Sequence, residues 1–165
     1  TQCMLNKKEF KDVFDAHFDA IRSFVFYRCG DMETASDIAQ DVFMKVWEKR
    51  ESLNGSHITP LLYKMATDCY ISHYRKGLCG MNFEQSLARD GDVDNSPEDE
   101  LLFKETAAIY AEALGQMPEM RRTVFLMNRE DGMKYGEIAE RLHISIKTVE
   151  KHISAALRFL KTKLL

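Results

Sequence analysis

Residues Tyr135 to Leu165 read YGEIAERLHISIKTVEKHISAALRFLKTKLL, and their spacing decides the fold. Ile138, Ala139 and Leu142 fall at i, i+1 and i+4, so they share one side of a helix. Ile146, Val149, Ile153, Ala156, Leu157 and Leu160 mark the apolar side of a second helix. Only His143, Ile144 and Ser145 lie between the two. Ser145 is placed to cap the second helix, its hydroxyl accepting from a free backbone N–H near Thr148. Lys147, Thr148, Lys151, His152, Ala155 and Arg158 are then left on the solvent side. A short turn, a Ser cap and the small Ala139 at the crossing together describe a helix-turn-helix. The apolar side holds the second helix while donors on its other side meet base edges and phosphates. Ser145, Lys147, Thr148, Lys151, His152 and Arg158 are therefore the candidate duplex-DNA residues.

Charge agrees. Arg121, Arg122, Arg129, Lys134, Arg141, Lys147, Lys151, Arg158, Lys161 and Lys163 outnumber the acidic residues from position 121 onward. The whole chain carries a net charge of -3, so the excess is local, and a phosphate-binding surface needs only a local excess.

Helical periodicity continues upstream. Phe10, Val13, Phe14, His17, Phe18, Ile21 and Phe24 mark a first helix, with His17 as a core or boundary histidine. Gly30 is placed to end it and Asp31 to cap the next. Ala35, Ile38, Ala39, Val42, Phe43, Val46 and Trp47 form the most regular helical pattern in the chain. Glu51 to Thr59 reads as a polar loop around Asn54-Gly55, and Pro60 fits the first turn of a third helix. That helix carries an apolar stripe of Leu61, Leu62, Met65, Ala66 and Cys69. On another face, Tyr63, Lys64, Tyr70, His73, Tyr74, Arg75 and Lys76 interleave aromatic and basic groups. Such a face can stack on unpaired bases and hold a phosphate backbone, or it can be half-buried with its cations at a helix C-terminus.

Gly77 to Pro97 is rich in Gly, Asn and Asp and reads as a flexible linker. Helices are expected from about Glu98 to Gly115 and from Pro118 to Arg129. No segment alternates over enough residues to suggest a sheet. The expected fold is all-α, with two small helical domains, residues 1–76 and 98–165, joined by the linker 77–97.

At 165 residues and 45% hydrophobic content the chain suits two small globular domains. No apolar run approaches the roughly 20 residues that span a bilayer. No charged-then-apolar leader is visible, so a cytoplasmic location without membrane insertion is expected. Cys3, Cys29, Cys69 and Cys79 are scattered and expected to be reduced, mostly buried thiols. The five histidines are equally dispersed, which argues against a metal site. No nucleophile–base motif, phosphate-cradling glycine loop or metal-ligand spacing points to an enzyme, and no cofactor is called for.

Three stretches resemble one family. Residues 35–50, ASDIAQDVFMKVWEKR, are similar to the polymerase-binding helix of extracytoplasmic-function (ECF) sigma factors of the sigma-70 family. Residues 60–77, PLLYKMATDCYISHYRKG, resemble the helix that follows it and faces the −10 promoter element. Residues 117–153, MPEMRRTVFLMNREDGMKYGEIAERLHISIKTVEKHI, resemble the −35-binding domain. Leu61 stands where the family usually has Trp, and Asp68 where it has Asn. The resemblance implies a promoter-specific initiation factor whose partners are core RNA polymerase, promoter DNA and an anti-sigma factor. It implies core-polymerase contacts at Asp37, Gln40, Asp41 and Lys45. It implies −10 contacts at Asn54, Ser56, His57, Tyr63, Lys64, Tyr74, Arg75 and Lys76. The string KTVEKHI also occurs in the response-regulator type of helix-turn-helix, which keeps open a regulator that does not join polymerase. Against that, the first seventy-six residues lack the alternating strands and clustered acidic residues of a phosphoacceptor domain.

Overall fold

The computed structural model describes residues 4–77 and 97–165, and every element of regular structure among them is helical. The expected linker falls almost wholly outside the described residues, as do Cys3 and Cys79. In chain order the helices are α1 (Lys7–Cys29), α2 (Met32–Glu48), α3 (Ile58–Arg75), α4 (Pro97–Gln116), α5 (Glu119–Arg129), α6 (Tyr135–Leu142) and α7 (Ile146–Leu164).

Local chemistry sets the boundaries. Asn6 opens α1 with a reciprocal capping box: its Oδ1 accepts from Glu9 N at 2.8 Å, and Glu9 Oε2 accepts from Asn6 N at 2.9 Å. Gly30 closes α1 in the left-handed region at φ 75, donating its N–H to Phe26 O. Asp31 caps α2 by accepting from Thr34 N at 3.2 Å. The polar loop after α2 contains two short 3-10 turns, Arg50–Ser52 and Gly55–His57. Leu5 N donates to Arg50 O at 3.0 Å and fastens the start of α1 to this loop.

Each half has an apolar centre. Ile21, Phe24, Val25, Ile38, Val42, Val46, Leu62 and Ala66 are buried where α1, α2 and α3 meet. Leu114, Val124, Met127, Ile138, Val149, Ile153 and Ala156 are buried where α4 to α7 meet. Removing one such Leu, Ile, Val or Phe side chain from water contributes about 1.5–3 kcal/mol. Three residues assigned to apolar stripes depart from them: Trp47, Ile146 and Leu157 are 37%, 52% and 54% exposed. Ile146 is the first residue of α7, and Leu157 sits one step round the helix from the buried Ala156.

The halves pack on each other, α1 against α5 and α3 against α6. Arg122 on α5 lies at the centre of this contact with 2% of its surface exposed. Its Nε donates to Tyr27 O at 2.7 Å and its Nη2 to Arg28 O at 2.6 Å. Its Nη1 donates to Leu114 O and Met117 O at 3.3 and 3.2 Å. One guanidinium thus serves carbonyls at the C-terminal ends of α1 and α4, where a cation is favoured. Arg122 is a packing residue and leaves the phosphate-facing excess to which its charge had assigned it.

Candidate polymerase and promoter interfaces

On α7 the expected cap is present: Thr148 N donates to Ser145 Oγ at 3.1 Å, and the two hydroxyls lie 2.8 Å apart. His143 makes the turn in the left-handed region at φ 55, and Ile144 N donates to Ala139 O at 3.0 Å. Val149, Ile153, Ala156 and Leu160 hold the helix from beneath. Lys147, Lys151 and Arg158 are exposed, and among the described residues no carboxylate forms an ion pair with them. The helix therefore offers exposed cations from a buried base. His152 differs: it is half-buried, and burial, then the charge of Arg121, lowers its pKa below the usual 6.5. Near neutral pH it offers a neutral ring, without charge for a phosphate.

On α2, Asp37, Gln40, Asp41 and Lys45 are all exposed. Asp41 Oδ2 lies 3.5 Å from His73 Nε2 on α3, so the expected polymerase face and −10 face adjoin. Lys45 Nζ leans across to Cys69 Sγ at 3.5 Å. Beside Gln40 runs an apolar groove of about 410 Å³, walled by Phe10, Phe14, Phe43, Met44, Trp47 and Glu48. Its aromatic side is ordered: Phe10 meets Trp47 edge-on at 5.0 Å, and Phe14 meets Phe43 edge-on at 5.1 Å. The groove was missed because Phe10, Phe14 and Trp47 fit the helical core pattern equally well.

Asn54, Ser56 and His57 are exposed on the loop before α3. Asn54 Oδ1 accepts from Ser56 N at 3.0 Å and from Ser56 Oγ at 2.8 Å, which leaves the Asn54 amide nitrogen as a further donor. Asn54, Gly55 and Ser56 border a hollow of about 330 Å³ whose other walls include Leu5, Glu9, Asp12 and Val13. His57 does not line it. The two carboxylates were not anticipated; they make the hollow unsuited to phosphate and suited to a group that donates hydrogen bonds.

Along α3, Lys64, Tyr74, Arg75 and Lys76 are exposed, Tyr74 at 65%. Tyr63 departs from the expected DNA-facing placement. It is 2% exposed, edge-on to Phe24 at 5.1 Å and beneath the Arg141 guanidinium at 5.4 Å. Tyr70 is 4% exposed, its hydroxyl donating to Glu119 Oε2 at 3.0 Å. The cause is α6 and α5, which sit on the face that these two rings share. Asp68 is exposed with Arg75 and Lys76 around another hollow on the opposite side of α3.

Two family models match in chain order: sigma-70 region 2 over residues 13–77 and sigma-70 region 4 over residues 107–160. The chain belongs to the sigma-70 family, in its ECF class. It is 26% identical to the ECF RNA polymerase sigma factor SigW of Bacillus subtilis, over 94% of this chain and 88% of that protein. It is also 26% identical to the ferric citrate uptake sigma factor FecI of Escherichia coli, over 89% of this chain and 86% of that protein. Its fold is similar to that of sigma factor RpoE from Bartonella quintana, solved with the anti-sigma factor NepR. That likeness has a TM-score of 0.65 at 20% identity and covers 95% of this chain and 97% of the other. CnrH, solved with the cytosolic domain of CnrY, gives a TM-score of 0.64 at 19% identity over 95% of this chain and 88% of its own. Region 2 thus coincides with α1 to α3, and region 4 with most of α4 and the helices up to α7. Among the described residues no helix is long and apolar enough to cross a membrane, and no group of His, Cys, Asp and Glu is placed to hold a metal ion.

Proposed function

We propose that this ECF sigma factor joins core RNA polymerase through α2 and directs initiation by reading two promoter elements with separate surfaces. Asp37, Gln40, Asp41 and Lys45 form the polymerase-facing side of α2. Asn54, Ser56 and His57, with Lys64, Tyr74, Arg75, Lys76 and, once uncovered, Tyr63, receive the −10 element. The loop takes a base extruded from the duplex, at a cost of a few kcal/mol that stacking and hydrogen bonding offset. Ser145, Lys147, Thr148, Lys151, His152 and Arg158 present α7 to the −35 element. Free energy comes from binding, so no bond-making or bond-breaking step, cofactor or metal is assigned to the chain. Its work belongs in the cytoplasm, and by extension from the RpoE complex with NepR it is restrained by an anti-sigma protein.

The observation that carries this reading is the order of the two matched regions in one chain, the second ending in a capped helix with free cations. The test is a pull-down with core RNA polymerase followed by run-off transcription on the chain's own gene promoter. Product that requires both chain and core is expected. DNA binding without any association with core would replace this reading with a regulator that acts apart from polymerase.

A further inference from the structure

The hollow before α3 is built from two elements that are tied to each other. Leu5 N donates to Arg50 O at 3.0 Å, and Leu5 itself is 2% exposed. The loop backbone rests close on its side chain: a Cβ added at Gly55 would meet Leu5 Cδ2 at 3.2 Å. Glu9, Asp12 and Val13 fall at i, i+3 and i+4, so they share one side of α1. That side forms the wall of the hollow opposite Asn54, Gly55 and Ser56.

The two walls differ in chemistry. Glu9 Oε2 accepts from Asn6 N at 2.9 Å, which leaves its second oxygen to accept elsewhere. Asp12 has no hydrogen-bond or ion-pair partner among the described residues. On the loop, Asn54 Oδ1 is taken by Ser56, and the amide nitrogen is the remaining donor. The α1 wall therefore accepts hydrogen bonds and the loop wall donates one. The carboxylates are not a metal site, for among the described residues no three His, Cys, Asp or Glu gather to hold an ion.

A nucleobase presents donors and acceptors along one edge. Cytosine and adenine set an amino group beside a ring nitrogen that accepts. Guanine sets an amino group and a ring N–H side by side, next to a carbonyl. Thymine carries a carbonyl on each side of a single N–H. A carboxylate accepts from an amino group, whereas against a carbonyl it sets lone pair against lone pair.

We propose that Glu9 and Asp12 select the extruded −10 base by its exocyclic amino group and reject thymine. This rests on the reading of the loop as the receiver of that base. The loop holds the base, and two carboxylates outside the loop, on α1, decide which base is held. The sugar and phosphate remain outside the hollow, where the two negative charges do not oppose them at close range.

The test uses the full chain with core polymerase on the promoter of the chain's own gene, with the −10 element unpaired so that base-pairing strength does not enter. Each position of the non-template strand in turn carries thymine or 5-methylcytosine, which exchange a keto group for an amino group and keep the same methyl. At one position the wild-type chain should give about tenfold more run-off product with the amino base. Asp12→Asn and Glu9→Gln keep the side-chain shape and bring an amide N–H that can donate to the thymine carbonyl. Each should shrink or reverse the preference at that position and leave the other positions unchanged. Glu9→Gln also retains an oxygen for the Asn6 cap. Asp15→Asn, on α1 but outside the hollow, should keep the wild-type preference. Circular dichroism confirms that each variant is folded. Thymine accepted as readily as the amino base at every position by the wild-type chain would overturn the proposal. So would a preference left intact in both folded variants, and either result leaves the initiation role standing. No product from the wild-type chain with core on any template would overturn the initiation reading and this proposal with it.

Discussion

On α7, Lys147, Lys151 and Arg158 stand in solvent with their helix fixed from below, whereas on α3 Tyr63 and Tyr70 are 2% and 4% exposed beneath α5 and α6. Both helices carry residues of the proposed promoter surfaces, and the difference lies in what else they touch. The apolar side of α7 packs within its own half, so the cationic side stays open. The aromatic side of α3 is also the surface on which the other half rests. In the free chain the proposed duplex-reading side of α7 is therefore exposed, while the two α3 rings are covered.

The contrast can be broken most severely at Arg122. Arg122→Ala leaves carbonyls at two helix ends without their buried donor and should cost about 3 kcal/mol or more in urea denaturation. Arg122→Lys should recover little, because an ammonium lacks the planar fork that serves four carbonyls. Wild-type stability in the alanine variant would remove Arg122 from the contact between the halves.

A smaller effect is expected where the two surfaces adjoin. Asp41→Arg should weaken association with core polymerase about tenfold or more, with little change in melting temperature, since the carboxylate is half exposed and its partner is only His73. Unfolding of that variant would make Asp41 structural. On α7, Lys151→Ala should cost about 1–3 kcal/mol and relax preference at one base pair. Arg158→Ala should weaken all sequences alike and lower the salt slope by about one. A promoter-variant binding series at two salt concentrations separates the two roles.

The smallest effect is on pH dependence. Burial, then the charge of Arg141, lowers the pKa of His17 below 6.5. The unfolded chain therefore binds the proton more readily, and stability falls as pH drops below 6.5 toward the folded value. His17→Gln should flatten that decline in thermal melts between pH 7 and pH 5. An unchanged slope would show that the imidazole is not held neutral.

What was legible in the sequence follows the range of the interactions involved. The Ser145 cap, the Gly30 stop and the Ala35 to Val46 stripe depend on residues within a few positions, so pattern alone placed them. Arg122 bonds to carbonyls up to 95 positions away, and nothing local separates it from its exposed neighbours. Tyr63 and Tyr70 satisfy one pattern whether their partner is a base or a helix. Glu9 and Asp12 reach the Asn54 hollow only because Leu5 ties the start of α1 to that loop.

The most direct measurement is nitration of Tyr63, Tyr70 and Tyr74 in three states: free chain, chain bound to core polymerase, and the same complex on promoter DNA. The account predicts that Tyr74 alone reacts readily in the free chain. Tyr63 and Tyr70 should react once core is bound and be protected again when promoter DNA is added. Tyr63 reacting as fast as Tyr74 in the free chain, or staying protected in the core complex without DNA, would contradict it.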